Sequence, residues 1–300
     1  DQQGEIISKF VGVRDGGKKH LDTVKEGNEK VLKARLADAE FYYEKDLKET
    51  MKERIDKLQG IVFREELGTM QDKVKRIKKI VSWTGTKLDI EKDTLSEAKR
   101  AAELAKGDLT SHMVREFPEL QGTMGEIYSR IEDEKEEVCK AISEHYHPRF
   151  SNDSLPETIQ GKLVSLSDKI DTLTGCFGIG LIPTGSEDPY GLRRSAIGIV
   201  RILQEAKIDL GLTKLCQFSV NLFNNLSRPQ EEVVSDVVNF IKERLENILL
   251  DKGYRYDVVQ TVLIGLNDKI PHIFNCTQTL SDYRQEKEFQ ELVTAYKRVK

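Results

Sequence analysis

Long apolar runs and clustered cysteines are both missing from this sequence. No stretch of about 18 apolar residues occurs, and the charged opening DQQGEIISKF lacks the apolar centre of a signal peptide. The four cysteines, at positions 139, 176, 216 and 276, lie far apart, so neither a zinc knuckle nor a disulfide framework is predicted. We therefore expect a cytoplasmic protein with reduced thiols and no membrane contact.

An excess of basic charge is missing as well. The net charge of −4 argues against a protein that coats polyanions through bulk attraction, although a local basic patch is compatible with it. The length of 300 residues and a 38% hydrophobic content predict a folded chain of two domains, or of one domain with pieces of others. The chain begins without methionine and ends on AYKRVK, so we expect a fragment of a longer protein.

Helical periodicity dominates the sequence from Gly27 onward and predicts a mostly α fold. The patterns predict a helix capped by Asn28, another from about Asp93 to Pro118, and a third over PETIQGKLVSLSDKIDTL. A further helix is expected to be capped by Asp188 and opened by Pro189. The exception is EIISKFVGVRDGGKKHLD, whose alternation predicts a short strand near the N-terminus.

Two groups of basic residues are candidate contacts for a phosphate backbone. In DKVKRIKKIV, Val74, Ile77 and Val81 share one side of a predicted helix, and the basic residues are expected on its outer face. The second group follows the Asp188 cap. The candidates are Lys75, Lys78, Lys79, Arg193, Arg194 and Arg201. The alternative is a solvated lysine face on the first helix, and pairing with Glu187, Asp188 or Glu205 on the second.

Histidines and aspartates cluster in EHYHPRF and SLSDKIDTL, which contribute His145, His147, Asp168 and Asp171. Imidazoles with two carboxylates could hold a metal that cleaves a phosphate ester. The helical character and the SLSDKID helix resemble the HD-type phosphohydrolases, with Asp168 at the place of their final aspartate. Their His-Asp dipeptide is missing: where we sought it, EFPELQGTMG offers only Glu116 and Glu119.

His145, Asp168 and Asp171 are therefore interpreted as degenerate positions of an HD-type site, and neither a metal nor a catalytic residue is predicted. For His145 and His147, the alternative is a histidine at a helix end that bonds to a neighbouring carboxylate or to the terminal carbonyls. His112 completes the histidines of this region, and a metal-dependent phosphohydrolase remains the alternative function.

Six strings in a fixed order carry a resemblance that covers nearly the whole chain and is weakest around residues 207–245. They are GNEKVLKARLADAEFYYEKD, FREELGTMQDKVKRI, EFPELQGTMGEIY, AISEHYHPRF, SLSDKIDTLTGCFGIGLIPTGSEDPYGLRRSAIGIVRIL and GYRYDVVQTVL. Together they closely resemble the beta subunit of the bacterial two-subunit glycyl-tRNA synthetase, a heterotetramer of two alpha and two beta subunits.

The resemblance implies a non-catalytic subunit that recognises tRNA(Gly), while the alpha subunit activates glycine with ATP and magnesium; no cofactor is expected in this fragment. Residues 1–60 would end an N-terminal α/β region, residues 61–190 would form an HD-like helical domain, and residues 191–300 a helical body leading into a truncated anticodon-binding domain. A scaffold that only joins subunits is the remaining alternative.

Overall fold

The computed structural model describes residues 7–17, 19–150, 152–185, 187–265 and 268–299. These residues contain fourteen α-helices and one two-stranded antiparallel sheet, which confirms the mostly helical fold class. The chain divides into two compact units, and the division falls between Lys48 and Glu49. None of the described helices combines the length and the apolarity needed to cross a bilayer.

The first unit contains one long helix, α1 (Leu21–Asp46). It begins seven residues before the predicted Asn28 cap, since Asp22 in its first turn favours the positive end of the helix dipole. The strand predicted over residues 5–22 is wrong for its described part, because residues 7–17 are irregular and pair with no second strand in the described chain. Residues 5, 6 and 18 of that prediction lie outside the described residues.

The second unit holds the remaining elements. In chain order they are α2 (Met51–Lys57), β1 (Val62–Arg64), β2 (Gly68–Thr69), α3 (Met70–Lys87), α4 (Lys92–Leu104), α5 (His112–Glu116), α6 (Thr123–Ile131), α7 (Glu136–Glu144), α8 (Ile159–Gly178), α9 (Leu192–Glu205), α10 (Leu212–Val220), α11 (Gln230–Asp251), α12 (Tyr256–Gly265), α13 (Ile270–Tyr283) and α14 (Lys287–Val299). The two short strands form a hairpin that leads directly into α3.

The α8 helix is the central element of this unit, because α3, α4, α7, α9, α10 and α11 all pack against it. Thr158 caps its start by accepting a hydrogen bond from Gly161 N at 2.9 Å. The carboxylate of Glu144, at the end of α7, accepts bonds from Thr158 N and Thr158 Oγ1. A Cβ at Gly161 would lie 2.0 Å from Glu144 Oε2, so this contact between α7 and α8 requires glycine.

Two predicted helices have different limits in the structure. The helix predicted from Asp93 to Pro118 is divided, because Ser111 Oγ accepts a bond from Val114 N and starts α5 as a separate helix. Asp188 does cap α9, with Leu192 N and Arg193 N donating to its carboxylate at 2.7 and 2.9 Å. The helix nevertheless begins at Leu192, so its predicted start at Pro189 is wrong.

A single apolar cluster joins most of the second unit. It extends from Ile80 on α3 through Leu166 on α8 to Phe274 on α13. Buried side chains from α9, α10, α11 and α12 complete it. The division into domains at residues 60 and 190 stays a prediction.

Candidate functional site

The centre of the candidate site is where α3 crosses α8. Thr69 fixes the start of α3 through a capping box, in which Asp72 N donates to Thr69 Oγ1 and Thr69 N donates to Asp72 Oδ2. From this start, Lys73 and Arg76 lie one turn apart and face α8. Asp168 and Asp171 lie one turn apart on α8, as predicted, and both meet residues of α3.

The carboxylate of Asp171 is fully buried and has two cationic partners. Arg76 approaches it with both ends of its guanidinium, Nε to Oδ1 at 2.6 Å and Nη2 to Oδ2 at 3.2 Å, while Lys73 Nζ lies 3.1 Å from Oδ2. Arg76 also donates to Leu67 O and stacks on the ring of Phe223. These contacts make Asp171 a structural anchor between α3 and α8.

Asp168 is held by two lysines, one on each carboxylate oxygen. Lys73 Nζ lies 3.0 Å from Oδ1, and Lys106 Nζ lies 2.8 Å from Oδ2. Burial acts to raise the pKa of Asp168, but the ammonium groups of Lys106 and Lys73 hold it well below its ordinary value. Lys106 also lies over the ring of Tyr146, 4.1 Å from its centre.

His145 is buried at the end of α7 and is electrically neutral at physiological pH. Burial and the charge of Lys106 hold its pKa well below its ordinary value, because both disfavour the imidazolium form. Its Nδ1 contacts the carbonyl oxygen of Ile142 one turn earlier, which is the helix-end arrangement of our alternative interpretation. Nε2 is buried and has no hydrogen-bond partner among the described residues.

The other two histidines make different contacts. His147 is half-buried and its Nδ1 bonds to Ser154 Oγ at 2.9 Å, so it does not pair with a carboxylate through that nitrogen. His112 opens α5. Within the described part of the chain, no group of three or more histidine, cysteine, aspartate or glutamate side chains is placed to hold a metal ion.

The side chains around Asp168 do not fit a divalent cation. A metal needs an available carboxylate oxygen, whereas both oxygens of Asp168 face ammonium groups that would repel it. Lysine offers donors and no acceptor, so neither Lys73 nor Lys106 coordinates a metal in its charged form. The geometry supports a neutralised, rigid wall of polar groups and does not support metal-assisted hydrolysis.

Lys73, Arg76 and Lys106 are the residues of this site that sequence reasoning missed. The predicted basic outer face of α3 is wrong for Lys73 and Arg76, which are only 3% and 7% exposed. A usable signal was present, because positions 73, 77 and 80 share one helical face and the last two are isoleucines. Lys106 directly follows the buried pair Leu104 and Ala105.

The predicted phosphate-binding residues fall into paired and unpaired groups. On α3, Lys78 pairs with Glu103 at 2.9 Å and Lys75 lies 3.7 Å from Asp72, while Lys79 is exposed and forms no ion pair in the described chain.

On α9, Arg193 donates to Gly185 O and Glu187 O, and Arg201 to Asp153 O. Arg194 is exposed and no described residue bonds to its side chain. Their roles in RNA binding stay predictions.

Comparison with known proteins identifies the family. A family profile described as "Glycyl-tRNA synthetase beta subunit" matches residues 1–264. The chain belongs to this family. It is 43% identical over 300 residues to a glycine–tRNA ligase beta subunit of Moorella thermoacetica, covering 99% of this chain and 43% of the relative. A relative with the same name from Halalkalibacterium halodurans is 44% identical over 302 residues, covering 100% of this chain and 44% of its own length.

A third relative, the glycine–tRNA ligase beta subunit of Clostridioides difficile, is 41% identical over 298 residues. The match covers 99% of this chain and 43% of that relative. The chain thus spans less than half the length of the curated relatives it matches. The family predicted from the six ordered strings is confirmed.

Proposed function

We propose that the protein containing this chain is a subunit of a glycine–tRNA ligase, and that it recognises tRNA(Gly) while an alpha subunit performs the chemistry with ATP and magnesium. The observation that carries the proposal is the family match over residues 1–264, together with 40–44% identity to relatives named as beta subunits of this ligase. The proposal implies a cytoplasmic protein that works in a heterotetramer.

The site geometry supports a binding role over a catalytic one. Asp168 and Asp171 are neutralised by lysine and arginine side chains, and the imidazole of His145 is buried with a pKa well below its ordinary value, which makes it a weak and inaccessible base. Folded RNA is recognised largely by its shape and through its phosphates. The exposed Lys79 and Arg194 are suited to such phosphate contacts, because neither is engaged in an ion pair in the described chain.

The test uses the full-length beta subunit, the alpha subunit and tRNA(Gly). We expect glycylation only when both subunits are present, and tRNA binding that weakens as salt is raised. Lys79→Ala should lower the slope of log affinity against log salt by about one, whereas a paired residue such as Lys78 should contribute less.

Two outcomes would count against the proposal. Absence of both tRNA binding and stimulation of the alpha subunit would refute it. Stimulation of glycylation with no change of tRNA affinity in any variant of the six candidate basic residues would instead favour a scaffold that only joins subunits.

A further inference from the structure

A cleft of about 360 Å³ opens beside Asp168, between the turn at Pro118, the segment that joins α7 to α8, and the first turn of α9. Its wall includes Tyr146, Arg149, Asp168, Lys169 and Arg194. The volume lies near the lower end of the range of roughly 300–1,000 Å³ that is usual for sites of small ligands. The cleft is therefore large enough for one small polar group with its immediate attachments.

The wall of this cleft carries an excess of positive charge. Asp168 is already neutralised by Lys73 and Lys106, so Glu119 is the other carboxylate of the wall, against the guanidinium groups at positions 149 and 194. Burial first, and then the nearby ammonium groups of Lys106 and Lys73, lower the pKa of Lys169 to about 7, so its amine adds only part of a positive charge at neutral pH. This environment favours an anion.

The three basic side chains of the wall differ in what they can offer a ligand. Lys169 Nζ already donates to Ser165 Oγ at 2.7 Å and to His147 O at 2.8 Å, so it has few free donors for a ligand. Arg149 donates through Nη2 to Gln121 O, but its Nε is buried and has no acceptor among the described residues. Arg194 is exposed and its guanidinium is not engaged by any described residue.

Tyr146 supplies another donor without an acceptor. Its hydroxyl is buried and unpartnered among the described residues, and burial together with the charges of Asp108 and Asp168 raises its pKa well above the ordinary value, so the hydroxyl keeps its proton. A buried donor left without a partner is unfavourable, because it has lost its bonds to water and gained none in the fold. Tyr146 Oη and Arg149 Nε are both donors, and both belong to side chains of the cleft wall. A ligand that only accepts hydrogen bonds therefore matches the chemistry of a wall rich in donors.

We infer that this cleft binds one phosphate group of an RNA backbone. Guanidinium groups pair with phosphate oxygens in a fork geometry that suits Arg149 and Arg194, and phosphate offers only acceptors to the hydroxyl of Tyr146. The lysines that hold Asp168 then have a second role, because they remove the negative charge that would otherwise repel the phosphate. The inference rests on the proposed function, since tRNA is the RNA concerned.

Two variants separate the contribution of the Arg194 charge to tRNA binding from that of the Tyr146 hydroxyl. They are Arg194→Ala and Tyr146→Phe, each made in the full-length beta subunit and combined with the alpha subunit. We expect Arg194→Ala to weaken tRNA binding about tenfold and to lower the salt slope by about one. Tyr146→Phe should weaken binding with an unchanged slope, because it removes a neutral donor. Lys214→Ala is the control: Lys214 is exposed on α10, outside the cleft wall, and should leave both quantities unchanged.

Each other outcome has a definite meaning. Salt-sensitive tRNA binding that Arg194→Ala leaves unaltered would overturn the phosphate site and leave the proposed function standing, whereas no tRNA binding by the intact complex would refute the proposed function itself.

Guanosine 5′-monophosphate and inorganic phosphate are the free probes. If either raised the melting temperature of the beta subunit through Arg194 while tRNA affinity did not depend on that residue, the cleft would be a site for free phosphates. Stronger competition by poly-glutamate than by unrelated RNA would likewise overturn the inference.

Discussion

Lys106 and Asp168 meet in a buried ion pair, with Lys106 Nζ 2.8 Å from Asp168 Oδ2, although 62 residues separate them in the chain. Lys73 occupies the opposite oxygen at 3.0 Å. A carboxylate at the place of the final aspartate of HD-type sites thus has two side-chain ammonium groups beside it. This relationship decides how the site responds to metals, to pH and to mutation.

Metal addition should leave this protein unchanged. We expect manganese or magnesium neither to bind stoichiometrically at Asp168 nor to produce hydrolysis of nucleotide phosphate esters, because both carboxylate oxygens face ammonium groups. Calorimetric titration and a phosphate-release assay measure the two properties, with Asp168→Ala as the matched control. Equimolar metal that disappears in Asp168→Ala would contradict the arrangement described above.

Removal of the Asp171 charge should strongly destabilise the second unit. Asp171→Asn leaves the buried Arg76 without a carboxylate partner, whereas Lys73 keeps Asp168, and breaking a buried ion pair in this way typically costs about 3–5 kcal/mol in the free energy of unfolding. Glu136→Gln is the control, since Glu136 pairs with Arg130 on the exposed surface and should change stability little. Equal effects of the two substitutions in urea titrations would show that the buried cluster does not support the fold.

Asp108 should make the stability fall as pH rises from about 4 to 6. Burial raises its pKa to about 6 from the ordinary value of 3.8, opposed in part by the bond from Gly122 N and by the charge of Lys106. The folded state therefore binds the proton more tightly than the unfolded state, and this contribution, about 3 kcal/mol, is present at low pH and lost as pH passes 6.

Asp108→Asn isolates that contribution, because the amide keeps an oxygen for the bond from Gly122 N and does not ionise. The difference in unfolding free energy between the wild type and the variant should change across pH 4 to 6 in the direction given above. A difference that stays constant over this window would show that Asp108 does not retain its proton in the fold.

Loss of the cap on α3 should have a moderate effect. Thr69→Ala removes the hydroxyl that accepts from Asp72 N, and caps of this kind contribute about 0.5–2 kcal/mol to stability. Thr86→Ala is the control, because Thr86 lies in the last turn of the same helix and its hydroxyl only donates back to Ser82 O. A greater loss for Thr86→Ala, measured by thermal unfolding, would contradict the role of the cap.

Local patterns predicted the elements of the site better than the contacts between them. The periodicity of SLSDKIDTL placed Asp168 and Asp171 one turn apart on a helix, and α8 confirms this. The burial of Lys73 and Arg76 was missed because lysine and arginine usually lie at the surface, and the partner that makes their burial possible is 95 to 98 residues away. Only the folded chain brings such partners together.

Helix limits were missed for a related reason. Asp188 was predicted as a cap, and its carboxylate does accept bonds from the backbone at the start of α9, but the first helical residue depends on how the loop reaches it. The strand predicted over residues 5–22 failed for a similar reason. Alternating apolar and polar residues favour a strand, but the strand forms only where a second strand lies beside it to pair with.

The pairing of Asp168 with both Lys73 and Lys106 also affects how this protein can change by mutation. Replacement of one lysine leaves the buried carboxylate of Asp168 with only one of its two ammonium partners. Both lysines must be replaced before both carboxylate oxygens are available to a metal. Any mutational path towards a metal enzyme would therefore pass through a less stable intermediate, which selection for a folded protein removes. The two amino groups therefore oppose the recovery of a metal site at this position.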